Sequence, residues 1–306
     1  MHPDTEINKK KARLAGKTFF KASSVVIFLA LIAIAAVIFL EKAKKQPLPS
    51  GSRIFSEEKT FREDFQKDAT LNETAKISES KNPDWWLNSG GLMTSGNGIG
   101  KTVQGDLSSD SEWFGKYKKN NSRDTDGGRH PQNIFRLVTR GKWNNLVQES
   151  YFRINKINLS ESENRNESNG ILLMSRYEDG DNLYYTGIRV DGSAIIKKKY
   201  EGDYFTLNEK RIFQGEEYDR DENPNLLPIG KWIGLRCELR NTPDGDVDIK
   251  LFIDEEGDGN WKLAASALDN GKKEFGTNII SDEGHAGIRT DFMDVEFSGY
   301  KIAEVK

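Results

Sequence analysis

Gly170-Ile171-Leu172-Leu173-Met174-Ser175-Arg176-Tyr177, Asn182-Leu183-Tyr184-Tyr185-Thr186-Gly187-Ile188-Arg189-Val190 and Ser193-Ala194-Ile195-Ile196-Lys197-Lys198-Lys199-Tyr200 follow one another as three apolar-rich runs. Each has the length of a strand, and the breaks between them are Glu178-Asp179-Gly180-Asp181 and Asp191-Gly192. Gly and Asp accept the backbone angles of tight hairpin turns, so the three runs read as consecutive antiparallel strands. Side chains alternate across a strand, which puts Tyr184, Ile188 and Val190 on a core face and Tyr185 and Arg189 on the opposite one. The same parity sends Lys197 and Lys199 opposite to Ile196. A face carrying Arg176 or Tyr177 with Tyr185, Arg189 and Lys197 has the hydrogen bonds and aromatic surface to hold a polar or anionic ligand.

Working outward, further short alternating runs appear at 134–139, 148–154, 232–240, 246–254, 261–267, 285–290 and 294–302. Turn formers such as Pro243-Asp244-Gly245 and Gly257-Asp258-Gly259-Asn260 separate several of them. Many short strands without intervening helical periods predict an all-β sandwich rather than alternating β and α units. Residues 66–84 are polar and read as a loop or short helix. In 232–239 the odd positions Ile233, Leu235, Cys237 and Leu239 share one face, so the single cysteine of the chain reads as a buried hydrophobe.

The N-terminal region reads differently. Residues 22–40 contain neither charge nor proline and are about long enough to cross a bilayer as a helix. Lys9, Lys10, Lys11, Arg13, Lys17 and Lys21 precede the run, against Lys42, Lys44, Lys45 and Arg53 after it, which favours a cytoplasmic N-terminus. The run ends in Ile38-Phe39-Leu40-Glu41, with no small-x-small site, so an anchor is preferred to a cleaved signal peptide. The expected organisation is a basic cytoplasmic tail at 1–21, a transmembrane helix at 22–40, a solvated linker at 41–58 and an extracytoplasmic β domain at 59–306. The 306 residues carry 45 basic and 48 acidic side chains, a net charge of -3. That balance lacks the basic excess needed to neutralise phosphates and argues against a nucleic-acid partner.

Phe61-Arg62-Glu63-Asp64-Phe65, the runs from Gly170 to Tyr185, Leu227-Pro228-Ile229-Gly230-Lys231-Trp232, and the closing stretches Phe252-Ile253-Asp254-Glu255-Glu256-Gly257-Asp258-Gly259-Asn260-Trp261, Gly284-His285-Ala286-Gly287-Ile288-Arg289-Thr290 and Asp294-Val295-Glu296-Phe297-Ser298-Gly299-Tyr300 together resemble the concanavalin A-like lectin/glucanase superfamily, in its laminin G-like group. The resemblance covers residues 59–306. It implies a jelly-roll β-sandwich of two antiparallel sheets, the first strand lying near the last, and a domain that binds carbohydrate or protein.

The resemblance also directs attention to catalytic carboxylates. Hydrolases of glycoside hydrolase family 16 set a Glu-x-Asp-x-(x)-Glu motif on one strand, so that alternation aims the carboxylates into one cleft. Glu217-Tyr218-Asp219-Arg220-Asp221-Glu222 has that spacing, nominating Glu217, Asp219 and Glu222, yet Asn223-Pro224-Asn225 follows and favours a solvated loop. His130 could line a cleft and, with Tyr185, Arg176 and Arg189, make a lyase-like acid/base set. Asp254, Glu256, Asp258 and Asn260 imitate the first half of a calcium loop, but Ala265 stands where its bidentate glutamate belongs, so calcium is the one cofactor in view and no metal site is assigned. Trp85, Trp86, Trp113, Tyr185 and Tyr204 should gather on one patch if sugar binds there. The reading is a bilayer-tethered domain binding a polysaccharide or other surface ligand without catalysis, through Arg176, Tyr185, Arg189, Lys197, Trp113 and His130. A polysaccharide hydrolase or lyase and a protein-interaction domain are the alternatives.

Overall fold

The computed structural model describes residues 59–305. The tail, the predicted membrane helix at 22–40 and the linker lie outside them. Among the described residues no helix is long and apolar enough to cross a membrane.

The strands run β1 (Thr60–Glu63), β2 (Ala69–Asn72), β3 (Trp85–Ser89), β4 (Leu92–Gly96), β5 (Ile99–Lys101), β6 (Ile134–Trp143), β7 (Leu146–Ile157), β8 (Gly170–Tyr177), β9 (Leu183–Arg189), β10 (Ser193–Tyr200), β11 (Asp203–Arg211), β12 (Trp232–Asn241), β13 (Val247–Asp254), β14 (Lys262–Asp269), β15 (Gly284–Asp291) and β16 (Met293–Glu304). One α-helix, α1 (Glu112–Asn120), interrupts them. A nine-stranded sheet has the order β14-β13-β12-β7-β16-β5-β4-β2, with β1 also on β16, and a seven-stranded sheet has the order β11-β10-β9-β8-β15-β6-β3. Every strand pairing is antiparallel. The chain is an all-β, two-sheet sandwich, and its first strand pairs with its last in the register Thr60 to Ala303.

The expected hairpins form through β8–β11 and β12–β14, but consecutive strands do not always pair. β6 and β7, joined by Asn144-Asn145, belong to different sheets, and so do β15 and β16, between which the chain turns at Phe292 with φ 52°. Residues 66–84, read as loop or helix, contain β2 and a short 3₁₀ turn at Ile77–Glu79. The short strands β2 to β5, together with β11, went unread in the sequence, where none has a long apolar alternation.

Between the sheets lies the main core. Tyr184, Ile188, Val190 and Ile196 enter it from the smaller sheet, and Ile233, Leu235, Cys237, Leu239, Phe297 and Ile302 from the larger. Cys237 is fully buried and burial pushes its thiol up to about 11, as expected of a packed hydrophobe rather than a nucleophile. Among the register shifts, two decide which side chains reach the core. Gly299, with φ 59°, adds a residue between Phe297 and Tyr300 so that both reach the core, odd number and even. The second bulge lies at Arg176, which has φ 49° and sits where the register of β8 against β15 shifts.

One ion pair is sealed inside the sandwich. Lys198 Nζ of β10 donates to Asp269 Oδ2 at 2.7 Å across the interior, and both side chains are 0% exposed. Tyr184 Oη donates to the same oxygen at 2.6 Å, and Lys198 also donates to the Asn278 carbonyl, which fastens the 270–280 segment to the core. Removing one member strands a buried charge, so Lys198→Met should lower the unfolding free energy by about 3–5 kcal/mol. Adding Asp269→Leu should recover part of that loss. Denaturant unfolding followed by tryptophan fluorescence checks both, and an unaffected single variant would contradict the pairing.

Candidate ligand-binding site

The outer face of the smaller sheet carries a second apolar cluster. Val138, Leu172, Met174, Tyr177, Leu183, Tyr185 and Ile195 are buried there, with Trp86 packed against them. Toward the β10–β11 edge the face turns polar and opens into a cavity of about 450 Å³. Leu172, Tyr185, Lys197 and Arg289 contribute to its lining from the sheet, with Tyr204 from β11 and Asn164, Asn166 and Asn169 from the segment that precedes β8.

Register explains this assembly. Lys197 lies directly opposite Tyr185, and Lys199 opposite Tyr204, so two tyrosines and two lysines meet on adjacent strands. The Tyr185 and Tyr204 rings stack with centroids 6.4 Å apart and planes at 26°. Lys197 Nζ and Lys199 Nζ each lie 5.0 Å from the Tyr204 ring centroid. Arg289 reaches in from β15: its Nη1 donates to Tyr185 Oη at 2.8 Å and its Nε to Asp291 Oδ1 at 2.9 Å. Gly187 belongs to the same outer row, and a Cβ there would stand 2.1 Å from the Ile171 carbonyl oxygen, so β8 and β9 approach too closely for any side chain at that position.

A hydrogen-bonded segment builds the wall. Asp124 accepts from Ser162 Oγ at 2.5 Å and Asn164 Nδ2 at 3.0 Å, and Asp126 accepts from Ser160 Oγ at 2.6 Å. Both carboxylates thus tie 121–133 to 158–169. Burial raises the Asp124 carboxyl, but the hydrogen bonds from Ser162, Asn164 and Asn121 outweigh it and leave the group below its ordinary value. Asp124 and Asp291 are the carboxylates lining the cavity, and each already accepts from neighbouring donors. Neither is placed as a proton donor of the kind glycoside cleavage needs.

Of the residues expected to bind ligand, Tyr185 and Lys197 line the cavity. Arg189 shares their outer face but pairs with Asp191 and, at 3.0 Å, with Glu209, outside the lining. Arg176 does not share the face. The bulge at its positive φ gives the outer position to Tyr177 and turns the guanidinium inward, where it donates to the carbonyls of Asn144 at 3.2 Å and Ile280 at 2.6 Å. Trp113 is buried on α1, its indole N–H donating to Asn72 Oδ1 at 2.9 Å, because Ser111 caps a helix that the sequence reading missed. His130 is held between Asp126 at 2.6 Å and Asp106 at 2.8 Å and does not line the cavity. The expected platform of five aromatics therefore reduces to Tyr185 and Tyr204, since Trp85 is in the main core and Trp86 is half-buried with its indole N–H on the Thr74 carbonyl.

Glu217, Asp219 and Glu222 occupy an exposed turn rather than a strand. Asp219 Oδ1 accepts from the backbone N–H of Asp221 at 2.9 Å and Glu222 at 2.8 Å, so the motif spends its central carboxylate on its own loop. In the calcium-like segment, Asp254 is buried and accepts the backbone N–H groups of Gly257 at 2.9 Å and Gly259 at 2.7 Å, while Glu256, Asp258 and Asn260 are exposed. Among the described residues no group of three or more His, Cys, Asp or Glu side chains is arranged to hold a metal. Arg289 and Asp124 were missed as cavity residues. Alternation in β15 could have found Arg289, because Ala286 and Ile288 face the core and Gly287, Arg289 and Asp291 the other side.

No protein-family model matches the chain, and no curated protein matches it. Solved structures to which it is similar include the carbohydrate binding module CBM66 from Bacillus subtilis, at 14% identity over 55% of this chain and 81% of that one, TM-score 0.38. They also include the GH43 protein BlXynB from Bacillus licheniformis, at 12% identity over 82% of this chain and 40% of that one, TM-score 0.42. A β-1,3-1,4-glucanase (lichenase) derived from a mouse hindgut metagenome is similar at 10% identity over 81% of this chain and 100% of that one, TM-score 0.41. By its own topology the chain is a two-sheet antiparallel β-sandwich with a tyrosine-lined polar cavity on the outer face of the smaller sheet.

The two stacked phenols differ electrostatically. Burial raises the Tyr185 hydroxyl, whereas at Tyr204 burial is outweighed by Arg289 and Lys199, which lower it below the ordinary tyrosine value. An absorbance titration of the full chain should therefore show one phenolate forming ahead of the others as pH rises. Tyr204→Phe should abolish that early step and Tyr185→Phe should leave one in place; an unchanged curve in the first variant would count against the arrangement.

Proposed function

We propose that this chain binds carbohydrate without turning it over, in the cavity over Tyr185 and Tyr204, and presents that cavity outside the cytoplasm from a membrane tether at 22–40. The observation that carries the reading is Tyr204, 50% exposed and stacked on a buried Tyr185, beside the amide side chains of Asn164 and Asn166. A sugar ring has one apolar C–H face and a rim of hydroxyls. An aromatic ring held in place by a second one suits the face, and amides that both donate and accept suit the rim. A cavity of about 450 Å³ lies within the range of small-ligand sites. The absence of a free acid among the lining carboxylates favours binding over cleavage.

A protein-interaction domain is the second reading, favoured by one specific observation: three of the five expected aromatics lie away from the cavity. A glycan array probed with the full chain separates the two. Carbohydrate binding predicts that Tyr204→Ala weakens the best ligand by about tenfold, equivalent to about 1.4 kcal/mol. No glycan above background would leave the protein-interaction reading in its place.

The tether has its own test. The full product should remain with membranes through high-pH carbonate, and deletion of 22–40 should release it. Release of the intact product would remove the anchor from the account.

A further inference from the structure

The cations around the cavity are unequally answered. Arg289 is bonded to Asp291, Arg189 to Asp191 and Glu209, and Lys199 donates to Asp181 Oδ1 at 2.7 Å and to the Gly180 carbonyl at 2.9 Å. Lys197 lines the cavity, and among the described residues no carboxylate lies within ion-pair distance of it. Its ammonium group lies over the ring face of Tyr204. Removing a cation from water without a counter-ion is costly, and the cost rises when other cations surround it.

Resting on the carbohydrate reading above, we infer that the cavity selects glycans bearing a carboxylate or a sulfate, and that Lys197 receives the charged group. The surrounding groups leave it that role. Asp291 pairs with Arg289, and Asp124 accepts from Ser162 and Asn164, so neither lining carboxylate is directed at Lys197. Burial, then the repulsion of Arg189 and Arg289, lowers the Lys197 amine from its ordinary value, while Tyr204 and Asp291 only partly oppose them. The Lys197 ammonium thus stands at the cavity without a carboxylate at ion-pair distance among the described residues. A neutral sugar would hydrogen-bond the ammonium and leave it without a counter-ion; an anionic group would supply one. The donor set fits the same ligand, because Lys197 on the sheet and the amides of Asn164 and Asn166 can all donate to an anionic oxygen.

The test uses matched pairs of oligosaccharides titrated calorimetrically into the full chain. One arm compares oligogalacturonate with its methyl ester, and the other compares a sulfated galactan oligomer with its desulfated form; the arms distinguish carboxylate from sulfate. The expected result is that the charged member of at least one pair binds ten times or more tighter than its neutral partner, with an affinity that falls as salt is added. Lys197→Met should erase that preference and Lys197→Arg should keep most of it, both variants retaining the wild-type circular dichroism and melting midpoint. Equal binding of charged and neutral members, or a preference that survives in Lys197→Met, overturns the inference while leaving carbohydrate binding in place. Binding of neither member in either pair overturns it as well, and the glycan array then decides separately whether any sugar is bound.

Discussion

The centre of the smaller sheet is buried on both faces, and the rest of the structure follows from that constraint. β8 and β9 are buried at every residue along their length. In most antiparallel sandwiches one face of a sheet meets the partner sheet and the other meets water. Here the inner face meets the larger sheet, and the outer face is covered by its own long side chains, by Trp86 and, at the cavity, by the asparagine-rich wall. A polar residue placed on that outer face is consequently not simply solvated. It must find a partner or be left to a ligand, and this makes a row of Tyr, Lys and Arg side chains a candidate site.

How much of this could be read from the sequence depends on whether alternation held. Along β9 and β10 it did: Tyr184, Ile188 and Ile196 pack in the main core while Tyr185 and Lys197 point the other way. At Arg176 it failed, because one residue with positive φ shifts the parity and exchanges Arg176 for Tyr177. A non-glycine bulge leaves no mark in composition, so the exchange was invisible until the register was known. Trp113 is a different case. Ser111 as N-cap, Glu112 with Lys116 and Trp113 with Tyr117 at i,i+4 spacing are a short helix signature, present in the sequence but buried among polar text. Asp124 and the 158–169 segment were beyond reach because their role depends on contacts between loops distant in sequence.

Short acidic motifs mislead for a related reason. Glu217-Tyr218-Asp219 and Asp254-Glu255-Glu256 carry the spacing of catalytic and calcium-binding segments, but spacing specifies chemistry only on the right backbone. In both, the key carboxylate accepts backbone N–H groups of its own turn. An aspartate so engaged stabilises loop geometry, as Asx turns do, and is turned toward its own backbone. The Gly257 and Gly259 positions, both with positive φ, belong to the same turn.

The run Lys197-Lys198-Lys199 shows how little residue type alone decides. Alternation sends the middle lysine into the interior, where Asp269 and Tyr184 receive it and the pair helps lock one sheet to the other. Its two neighbours emerge on the outer face, flanking the same Tyr204 ring at the same 5.0 Å. Lys199 stands nearer the hairpin turn, within reach of Asp181, and its charge is answered there. Lys197, two residues further from the turn, feels Arg189 and Arg289 more than Tyr204 and Asp291, and Arg289 already holds Asp291. Identical side chains on consecutive residues thus become a core tie, a rim salt bridge and an unanswered charge. The distinction among them comes from strand parity and from which carboxylates come within reach, and it is on the third that the proposed preference of the cavity rests.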